Sequence, residues 1–357
     1  MDAVLTEWID RVHAATSRRE PLCIRAGGTK DFYGNAARAM LFDPRAWSGV
    51  ESYEPSELVI SARAGTPLSE IEALLAAQRQ MLAFEPPHFG AGATVGGCIA
   101  AGLSGPRRAA AGYTYGSLRD AVLGTRLLDG KGRLLRFGGT VIKNVAGYDV
   151  SRLLAGSLGI LGVIVDVSLK VLPMPAVEQT LHFSMAEQIA LKKLQLWGSA
   201  PLPISASCWL EDSLWLRLSG ASPAVAVAAA ALGGEVVGGD AAATLWRSVR
   251  EQQHAWFGGA LPLWRVSVPS AAESLALDAP QLIEWGGALR WLRSDAPASL
   301  IRARAQELGG HATLFRGGDR VDVFTPLSAP LLAIHRRLKQ EFDPAGIFNP
   351  GRMYAEL

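Results

Sequence analysis

Glycine is unusually dense between residues 89 and 162 of this 357-residue chain. The stretch from 89 to 117 alone contains eight glycines: Gly90, Gly92, Gly96, Gly97, Gly102, Gly105, Gly112 and Gly116. Glycine inside a helix or strand costs about 0.5–1 kcal/mol relative to alanine, because it loses more backbone freedom on folding. A core that keeps so many glycines needs a compensating reason, and close approach of the backbone to a ligand is one.

The length allows two domains, and apolar periodicity predicts both helices and strands. Helices are indicated by residues at helical spacing: Leu5, Trp8, Ile9 and Val12, then Leu68, Ile71, Leu74 and Leu75 after Pro67, and finally Leu331, Ile334, Leu338 and Phe342 after Pro330. Strands are predicted at 22–24, 58–60, 121–128, 134–137, 161–171, 207–210, 214–218 and 263–268. The Gly286-Gly287 pair between two apolar runs favours a β-hairpin over 282–292 with a tight two-residue turn. Pro173 and Pro175 mark a domain boundary.

The segment from Gly90 to Gly96 has the glycine spacing of a dinucleotide fingerprint. That fingerprint must directly follow a strand and open a helix. Here Pro86-Pro87-His88 precedes it and no helix signal follows promptly, so the sequence argues against a Rossmann unit. The glycine-lysine pattern of a P-loop is also absent from the sequence.

Three glycine-rich loops at 26–30, 90–97 and 102–117 predict an anion site. Consecutive backbone N–H groups without bulky side chains form concavities that suit a pyrophosphate. Hydroxyl and cationic side chains that can strengthen such a site are Thr29, Thr94, Ser117, Lys30 and Arg25. Any one loop can be a turn and nothing more, whereas three such loops beside strands favour phosphate binding.

The order of these motifs resembles the FAD-binding domain of the vanillyl-alcohol oxidase/PCMH-type flavoproteins, and among them the FAD-binding subunits of glycolate oxidase complexes. The stretches that carry the resemblance are 25–30, 94–97, 115–117, 143–149 and 156–162, with support from 85–88, 105–108, 284–292 and 348–354. They extend over essentially the whole chain.

The resemblance implies an α+β fold in three parts. Residues 1–175 would form a PCMH-type FAD-binding domain of two α/β subdomains, and 176–325 a smaller α+β cap or interaction domain. Residues 326–357 would form a C-terminal helix and tail that pack back on the FAD domain. FAD would be bound non-covalently, because Thr29 and Lys30 stand where relatives with covalent flavin often have a histidine.

The resemblance also assigns FAD-binding residues. The first two glycine loops would line the diphosphate, 143–149 and 159–163 would follow the adenine and flavin edges, and Asn349 would reach the flavin region. The candidates are Arg25, Ala26, Gly27, Gly28, Thr29, Lys30, Pro87, His88, Gly92, Thr94, Val95, Gly96, Gly97, Gly102, Gly105, Gly116, Ser117, Asn144, Gly147, Tyr148, Gly159, Gly162, Val163 and Asn349. The Arg107-Arg108 pair either steers the phosphates or is a solvated pair.

No catalytic or metal-binding residue is predicted. Catalytic relatives have a metal-binding pair of histidines followed by an acid, whereas the six histidines here are widely separated. Three scattered cysteines cannot hold an iron–sulfur cluster. The resemblance therefore implies an accessory FAD subunit. A catalytic flavin subunit would oxidise glycolate to glyoxylate, and this chain would relay the electrons toward an iron–sulfur subunit and quinone. The small hydroxy-acid substrate would bind at the level of the complex.

Two other functions stay open from the residues alone. The chain can be a self-sufficient FAD-dependent dehydrogenase of another small hydroxy acid or alcohol, which an acid/base pair within 176–320 would support. It can also be a non-enzymatic FAD-binding scaffold.

The formal net charge of +2 gives no general attraction to nucleic acid. Without an apolar run of about 20 residues or a signal peptide, we expect a cytoplasmic protein, peripheral on the cytoplasmic face of the inner membrane through partners.

Overall fold

A computed structural model describes residues 2–36, 39–108, 116–141 and 149–357. Its helices are α1 (Ala3–Arg18), α2 (Leu68–Ala77), α3 (Val95–Ala101), α4 (Leu118–Ala121), α5 (Val150–Leu153), α6 (Glu187–Gly198), α7 (Ser222–Leu232), α8 (Gly239–Arg250), α9 (Ala298–Glu307) and α10 (Ala329–Phe342). None of the helices in these ranges has both the length and the apolarity that crossing a membrane requires.

The strands form two large antiparallel sheets and two small pairs. The strands are β1 (Leu22–Ile24), β2 (Met40–Phe42), β3 (Val50–Glu54), β4 (Val59–Arg63), β5 (Gln80–Met81), β6 (Val122–Leu128), β7 (Leu134–Gly138), β8 (Val163–Lys170), β9 (Leu172–Pro173), β10 (Val177–Ser184), β11 (Ile204–Leu210), β12 (Ser213–Gly220), β13 (Glu235–Val237), β14 (Leu263–Ser267), β15 (Gln281–Glu284), β16 (Leu289–Arg293) and β17 (His311–Arg316). This mixture of helices and sheets confirms the predicted α+β class.

The first sheet has the order β3-β4-β8-β6-β7 and lies between two layers. On one side, Val163 and Val165 share a core with α1 and the parallel β1–β2 pair. On the other side, Val167 and Leu169 share a core with apolar residues of α2 and α3. The loops that follow β1 and precede α3 are thereby held by packed elements on both sides.

The second sheet spans 177–316 in the order β13-β10-β12-β11-β15-β16-β14-β17. Helices α6, α7 and α9 cover one side through two apolar clusters. The other side carries Cys208, Trp285 and Trp291 in one cluster with Tyr33 and Leu103. We call the part of the chain that holds the first sheet the first domain and the part that holds the second sheet the second domain. The interface between the domains is therefore a buried, aromatic-rich layer.

The C-terminal segment packs on the first domain through one buried lysine and two phenylalanines. Lys339 Nζ donates to the carbonyls of Ile160 (2.8 Å) and Phe348 (2.7 Å) and to Asp343 (2.7 Å). Phe348 is fully buried in the core of α1, and Phe342 lies in that of α2 and α3. Only the C-terminal half of α10 makes such contacts.

Three apolar residues that helical spacing predicted to face inward are exposed: Leu74, Leu331 and Ile334. The first two turns of α10 extend beyond the core that Leu338 and Phe342 reach, so Leu331 and Ile334 face solvent. Spacing identifies a helix and its apolar face, but how far the partner surface extends along that face depends on the fold.

Two local predictions were wrong. A helix, α3, does follow the second glycine loop, with Thr94 as N-cap accepting a hydrogen bond from Gly97 N–H at 3.2 Å. Its glycines weaken the helical signal, and burial of Val95 and Ile99 compensates. The Rossmann interpretation still fails, because residues 82–93 contain no strand.

The predicted hairpin of β15 and β16 is present, but a 3₁₀ turn at Trp285–Gly287 replaces the two-residue turn.

Candidate functional site

The first two glycine loops touch each other beside β1 and α3. A Cβ atom built on Gly27 would lie 1.6 Å from the carbonyl oxygen of Gly92, so no side chain fits there. Gly28 has a φ of +69°, in the left-handed region that glycine tolerates. The glycines are thus required by the meeting of two backbones.

This junction presents a row of backbone donors. Within the described part of the chain, the N–H groups of 26–30 donate to no protein acceptor, and neither do those of 90–92. Backbone N–H groups that fold without a partner need another acceptor, such as water or a ligand. Consecutive free N–H groups in a concave loop are the elements of a phosphate-binding nest.

The cleft beside this row has about 560 Å³ of empty space and carries net positive charge. Its cations are Arg25, Lys30 and Arg352, and its one carboxylate is Asp31, which lies 2.5 Å from Arg25 Nε. Burial lowers the pKa of Lys30, whose Nζ donates to the carbonyl of His88 at 3.2 Å. Three cations against one carboxylate favour an anionic ligand such as a diphosphate.

Asn349 closes the cleft from the C-terminal segment. Its Oδ1 accepts from Ile24 N–H at 2.7 Å, and its Nδ2 donates to the carbonyl of Leu158 at 2.6 Å. The side chain is buried, and a Cβ on Gly159 would lie 2.7 Å from that Nδ2. Asn349 therefore holds β1 and the loop before β8 together at the edge of the cleft.

An Asn349→Ala variant should lose about 1–3 kcal/mol of unfolding free energy, because the part-buried Ile24 N–H and the buried Leu158 carbonyl lose their partner. Urea denaturation followed by circular dichroism measures this loss. Gln195→Ala, at an exposed position of α6, is the matched control and should stay within about 0.5 kcal/mol of wild type. Equal stabilities of the two variants would contradict the role given to Asn349.

The cleft brings together ten of the predicted FAD-binding residues: Arg25, Ala26, Gly27, Gly28, Thr29, Lys30, Gly92, Thr94, Gly97 and Asn349. It also contains residues that the sequence analysis missed: Ile24, Asp31, Ala100, Ala101, Leu158 and Arg352. Arg352 lies within the stretch 348–354 that supported the family resemblance, and this is the one signal that pointed to it.

The other described candidates are not among the residues that line the cleft. Val95 and Val163 are core residues, Gly96 packs on Ala64, and Ser117 caps α4 together with Asp120. At the remaining described glycines a side chain would meet a close neighbour: the backbone of Gly156 at Gly102, the carbonyl of Glu85 at Gly105, the amide of Asn349 at Gly159, the carbonyl of Leu128 at Gly162 and the carboxylate of Asp120 at Gly116. Asn144, Gly147 and Tyr148 lie outside the described residues.

Pro87 and His88 lie at the interface between the domains instead. His88 Nε2 is 3.0 Å from Glu72 of α2, and its backbone N–H donates to Glu251 at 3.1 Å. Pro87 lines a separate cavity between the domains. The backbone next to the second glycine loop therefore contacts Glu251, at the C-terminal end of α8.

Arg107 and Arg108 are neither phosphate ligands in the cleft nor a solvated pair. Arg107 is buried and forms an ion pair with Glu178 at 2.7 Å. The Arg108 guanidinium lies 4.3 Å from the centre of the Trp285 ring, a cation–π arrangement. Both arginines contact the second domain, which a reading confined to local sequence cannot anticipate.

Buried Glu85 is the centre of an ion-pair network between the domains. Its carboxylate accepts from Arg217 of β12 at 2.8 and 3.1 Å and from Arg107 N–H at 2.9 Å. Burial raises the pKa of Glu85, but the charges of Arg217, Arg107 and Arg250 and the Arg217 hydrogen bonds outweigh it and hold that pKa at about 2. The pair therefore stays ionised at neutral pH.

Burial also determines the protonation state of Cys98, the residue after the second glycine loop. It raises the pKa of the Cys98 thiol to about 12, so the thiol is protonated at neutral pH. A thiol in this state is a poor nucleophile. In the described ranges no cluster of three His, Cys, Asp or Glu side chains is suited to a metal ion.

Comparison with known proteins agrees with this geometry. The "FAD binding domain" family matches residues 5–138. The glycolate oxidase subunit GlcE of Escherichia coli (strain K12) is 49% identical over 349 residues, which cover 98% of this chain and 97% of that protein. The glycolate oxidase subunit GlcD of Bacillus subtilis (strain 168) is 40% identical over 88 residues, 25% of this chain and 18% of that one.

A solved alkyldihydroxyacetonephosphate synthase shares the fold, with a TM-score of 0.65 at 15% identity over 96% of this chain and 73% of that one. The free N–H groups, the excluded Cβ at Gly27 and the positive cleft fit the diphosphate of FAD, which is the cofactor of this chain. With 49% identity along almost the whole length of both sequences, the chain belongs to the glycolate oxidase subunit GlcE family of FAD-binding oxidoreductases.

Proposed function

We propose that this chain is the FAD-binding subunit of a complex that oxidises glycolate, or another small D-2-hydroxy acid, to the corresponding oxo acid. The observation that carries the proposal is the donor row at 26–30 and 90–92, in a chain 49% identical to a glycolate oxidase subunit. Matches to D-lactate dehydrogenases over about a third of the chain or more support the same substrate class.

When bound, FAD supplies the redox chemistry, and the protein supplies position and electrostatics. The donor row and the cations of the cleft hold the diphosphate. Asn349 fixes the edge of the cleft, and the second sheet covers the adjoining loops. The chain thereby keeps the cofactor in one place between a source and an acceptor of electrons.

The partners belong to the same proposal. A catalytic flavin subunit would deliver electrons to the FAD of this chain, and an iron–sulfur subunit would pass them on to quinone. The name of the GlcE relative marks that protein as one subunit of an oxidase. We place the complex in the cytoplasm, peripheral on the inner membrane through its partners.

A second candidate has a specific observation in its favour. Glu284 and Arg265, both within 176–320, line one cavity at the domain interface. Burial raises the pKa of Glu284 to about 7, in the range of a general base. This is the type of acid/base group that a self-sufficient FAD-dependent dehydrogenase needs.

An anaerobic visible spectrum of the purified, FAD-loaded chain distinguishes the two candidates. For an electron-relay subunit, we expect a flavin spectrum that glycolate leaves unchanged and dithionite bleaches. Rapid bleaching by glycolate or D-lactate would instead make the chain a dehydrogenase in its own right. A folded chain that retains no FAD, even after FAD is added, would contradict the proposal as a whole.

A further inference from the structure

A carboxylate of the second domain binds the backbone at the start of the second glycine loop. Glu251, the C-cap residue of α8, has a side chain that is 11% exposed. Its Oε2 accepts from Phe89 N–H at 2.8 Å and from His88 N–H at 3.1 Å. Phe89 directly precedes Gly90, where the second half of the donor row begins. A protein carboxylate therefore occupies the first two donors of the run 88–92, and the donors that follow are left for a ligand.

The peptide group between His88 and Phe89 is held from both domains. Its N–H donates to Glu251, and its carbonyl oxygen accepts from Lys30 Nζ at 3.2 Å. A trans peptide group is planar, with its N–H and C=O on opposite sides, so a partner that fixes one end also fixes the direction of the other. Glu251 thereby orients the carbonyl that binds Lys30, which is one of the three cations of the cleft.

The backbone that leads into the donor row needs such support. Phe89 has a φ of +55° and Gly90 a φ of +141°. A residue with a Cβ atom stays in the left-handed region where its surroundings hold it there. The Phe89 ring makes T-shaped contacts with Phe32, at 5.3 Å between ring centres, and with Phe315 of β17, at 6.4 Å. The second domain thus holds both the backbone and the side chain of Phe89.

Charge alone argues against a carboxylate at this position. A negative group beside a diphosphate site repels the ligand, although Arg250, whose Nε lies 2.8 Å from Glu251 Oε1, offsets part of that charge. Ordering of the loop by Glu251 strengthens FAD binding, whereas its charge weakens it. The two effects predict opposite changes in FAD affinity when Glu251 is removed.

We propose that Glu251 is a positioning residue for FAD, through which the second domain controls the affinity of the donor row for the diphosphate. Without this carboxylate the His88–Phe89 peptide group is free to rotate, Phe89 leaves the left-handed region, and the N–H groups at 90–92 lose their alignment. Coupling between two sites is reciprocal, so bound FAD in turn tightens the contact between the loop and the end of α8. The inference rests on the proposed role of the donor row in FAD binding.

The dissociation constant of FAD, measured by fluorescence titration of the full-length apoprotein, tests this role. We expect Glu251→Ala to bind FAD about 10-fold more weakly than wild type, within the usual range of coupling between sites. Glu251→Gln keeps an oxygen that accepts from Phe89 N–H without the charge, and should weaken binding by a factor of about 3 or less. Glu273→Ala, at an exposed position of the second domain, is the matched control and should bind FAD as wild type does.

Three results would overturn the proposal. They are wild-type affinity in a folded Glu251→Ala chain, the same loss in the Ala and Gln variants, and tighter binding in both, which would show that charge repulsion outweighs ordering of the loop. A Gly27→Ala chain that binds FAD weakly beside a Glu251→Ala chain with wild-type affinity would contradict the role of Glu251 alone. A folded wild-type chain that binds no FAD would contradict the proposed function itself.

Hydrogen exchange tests the coupling in the wild-type chain, without any substitution. Addition of FAD should slow exchange of the amides at 88–92 and also of those at 247–253, around the C-terminal end of α8, by about 5-fold or more. In Glu251→Ala the slowing at 247–253 should disappear. Protection of the wild-type chain that includes 90–92 and leaves 247–253 unchanged would overturn the coupling between the domains.

Discussion

A Gly27→Ala variant is expected to bind FAD about 100-fold more weakly than wild type, a loss of about 2.7 kcal/mol. The added Cβ would lie 1.6 Å from the carbonyl oxygen of Gly92, so one of the two loops must move. Either movement spreads the row of N–H donors at 26–30 and 90–92. Fluorescence titration of the apoprotein with FAD measures the dissociation constant directly.

Gly198→Ala is the matched control, because a Cβ at Gly198 meets no atom within 4 Å. It should bind FAD as wild type does. Circular dichroism of Gly27→Ala distinguishes a displaced loop from an unfolded chain, since the two sheets and their helices do not depend on the loop contact. A folded Gly27→Ala chain with wild-type affinity for FAD would show that the diphosphate binds elsewhere.

Arg217→Met is expected to lower the free energy of unfolding by about 3–5 kcal/mol, the usual cost of removing one partner of a buried ion pair. Arg217 donates two hydrogen bonds to buried Glu85, at 2.8 and 3.1 Å. Without them the Glu85 carboxylate stays buried with too little compensation. The double variant Glu85→Gln/Arg217→Met should recover part of the loss, and Arg337→Met, at an exposed position, should cost less than about 0.5 kcal/mol.

The same pair predicts acid sensitivity. The pKa of Glu85 is about 2 in the folded chain, against an ordinary value of 4.5. A pKa that is lower in the folded state contributes stability that is present above pH 4.5 and is lost as the pH falls toward 2. The difference corresponds to about 3 kcal/mol. Urea denaturation between pH 5 and 2.5 should therefore show a steeper loss for wild type than for Glu85→Gln, and parallel profiles would contradict this account.

Local patterns predicted most of the elements, because burial repeats at the period of each element. Leu5, Trp8 and Val12 mark α1 because they all face the same core. The same logic failed at α3, where Gly96 and Gly97 depress the helical signal and tertiary packing supplies the stability. The glycine loops were predictable because dense glycine is visible in the sequence itself, although the contact that requires glycine at Gly27 is a tertiary one with Gly92.

The cavity between the domains could not be found in the sequence. Arg265 and Glu284 lie on separate strands, and the pairing of β14, β16 and β15 brings the two strands together. The strand order of an eight-stranded antiparallel sheet cannot be predicted from any local sequence motif. The role of Arg107 is equally non-local, because its partner Glu178 belongs to the second domain.

The hydrogen bond between Ile24 N–H and Asn349 joins residues 325 positions apart. A ribosome makes a chain from its N-terminus at roughly 5–20 residues per second, so both glycine loops emerge long before Asn349 does. A nascent chain that has exposed the loops still lacks the group that closes the edge of the cleft. The cleft is therefore completed only when synthesis is almost finished, and we expect a product terminated before Asn349 to bind FAD more weakly than the full chain.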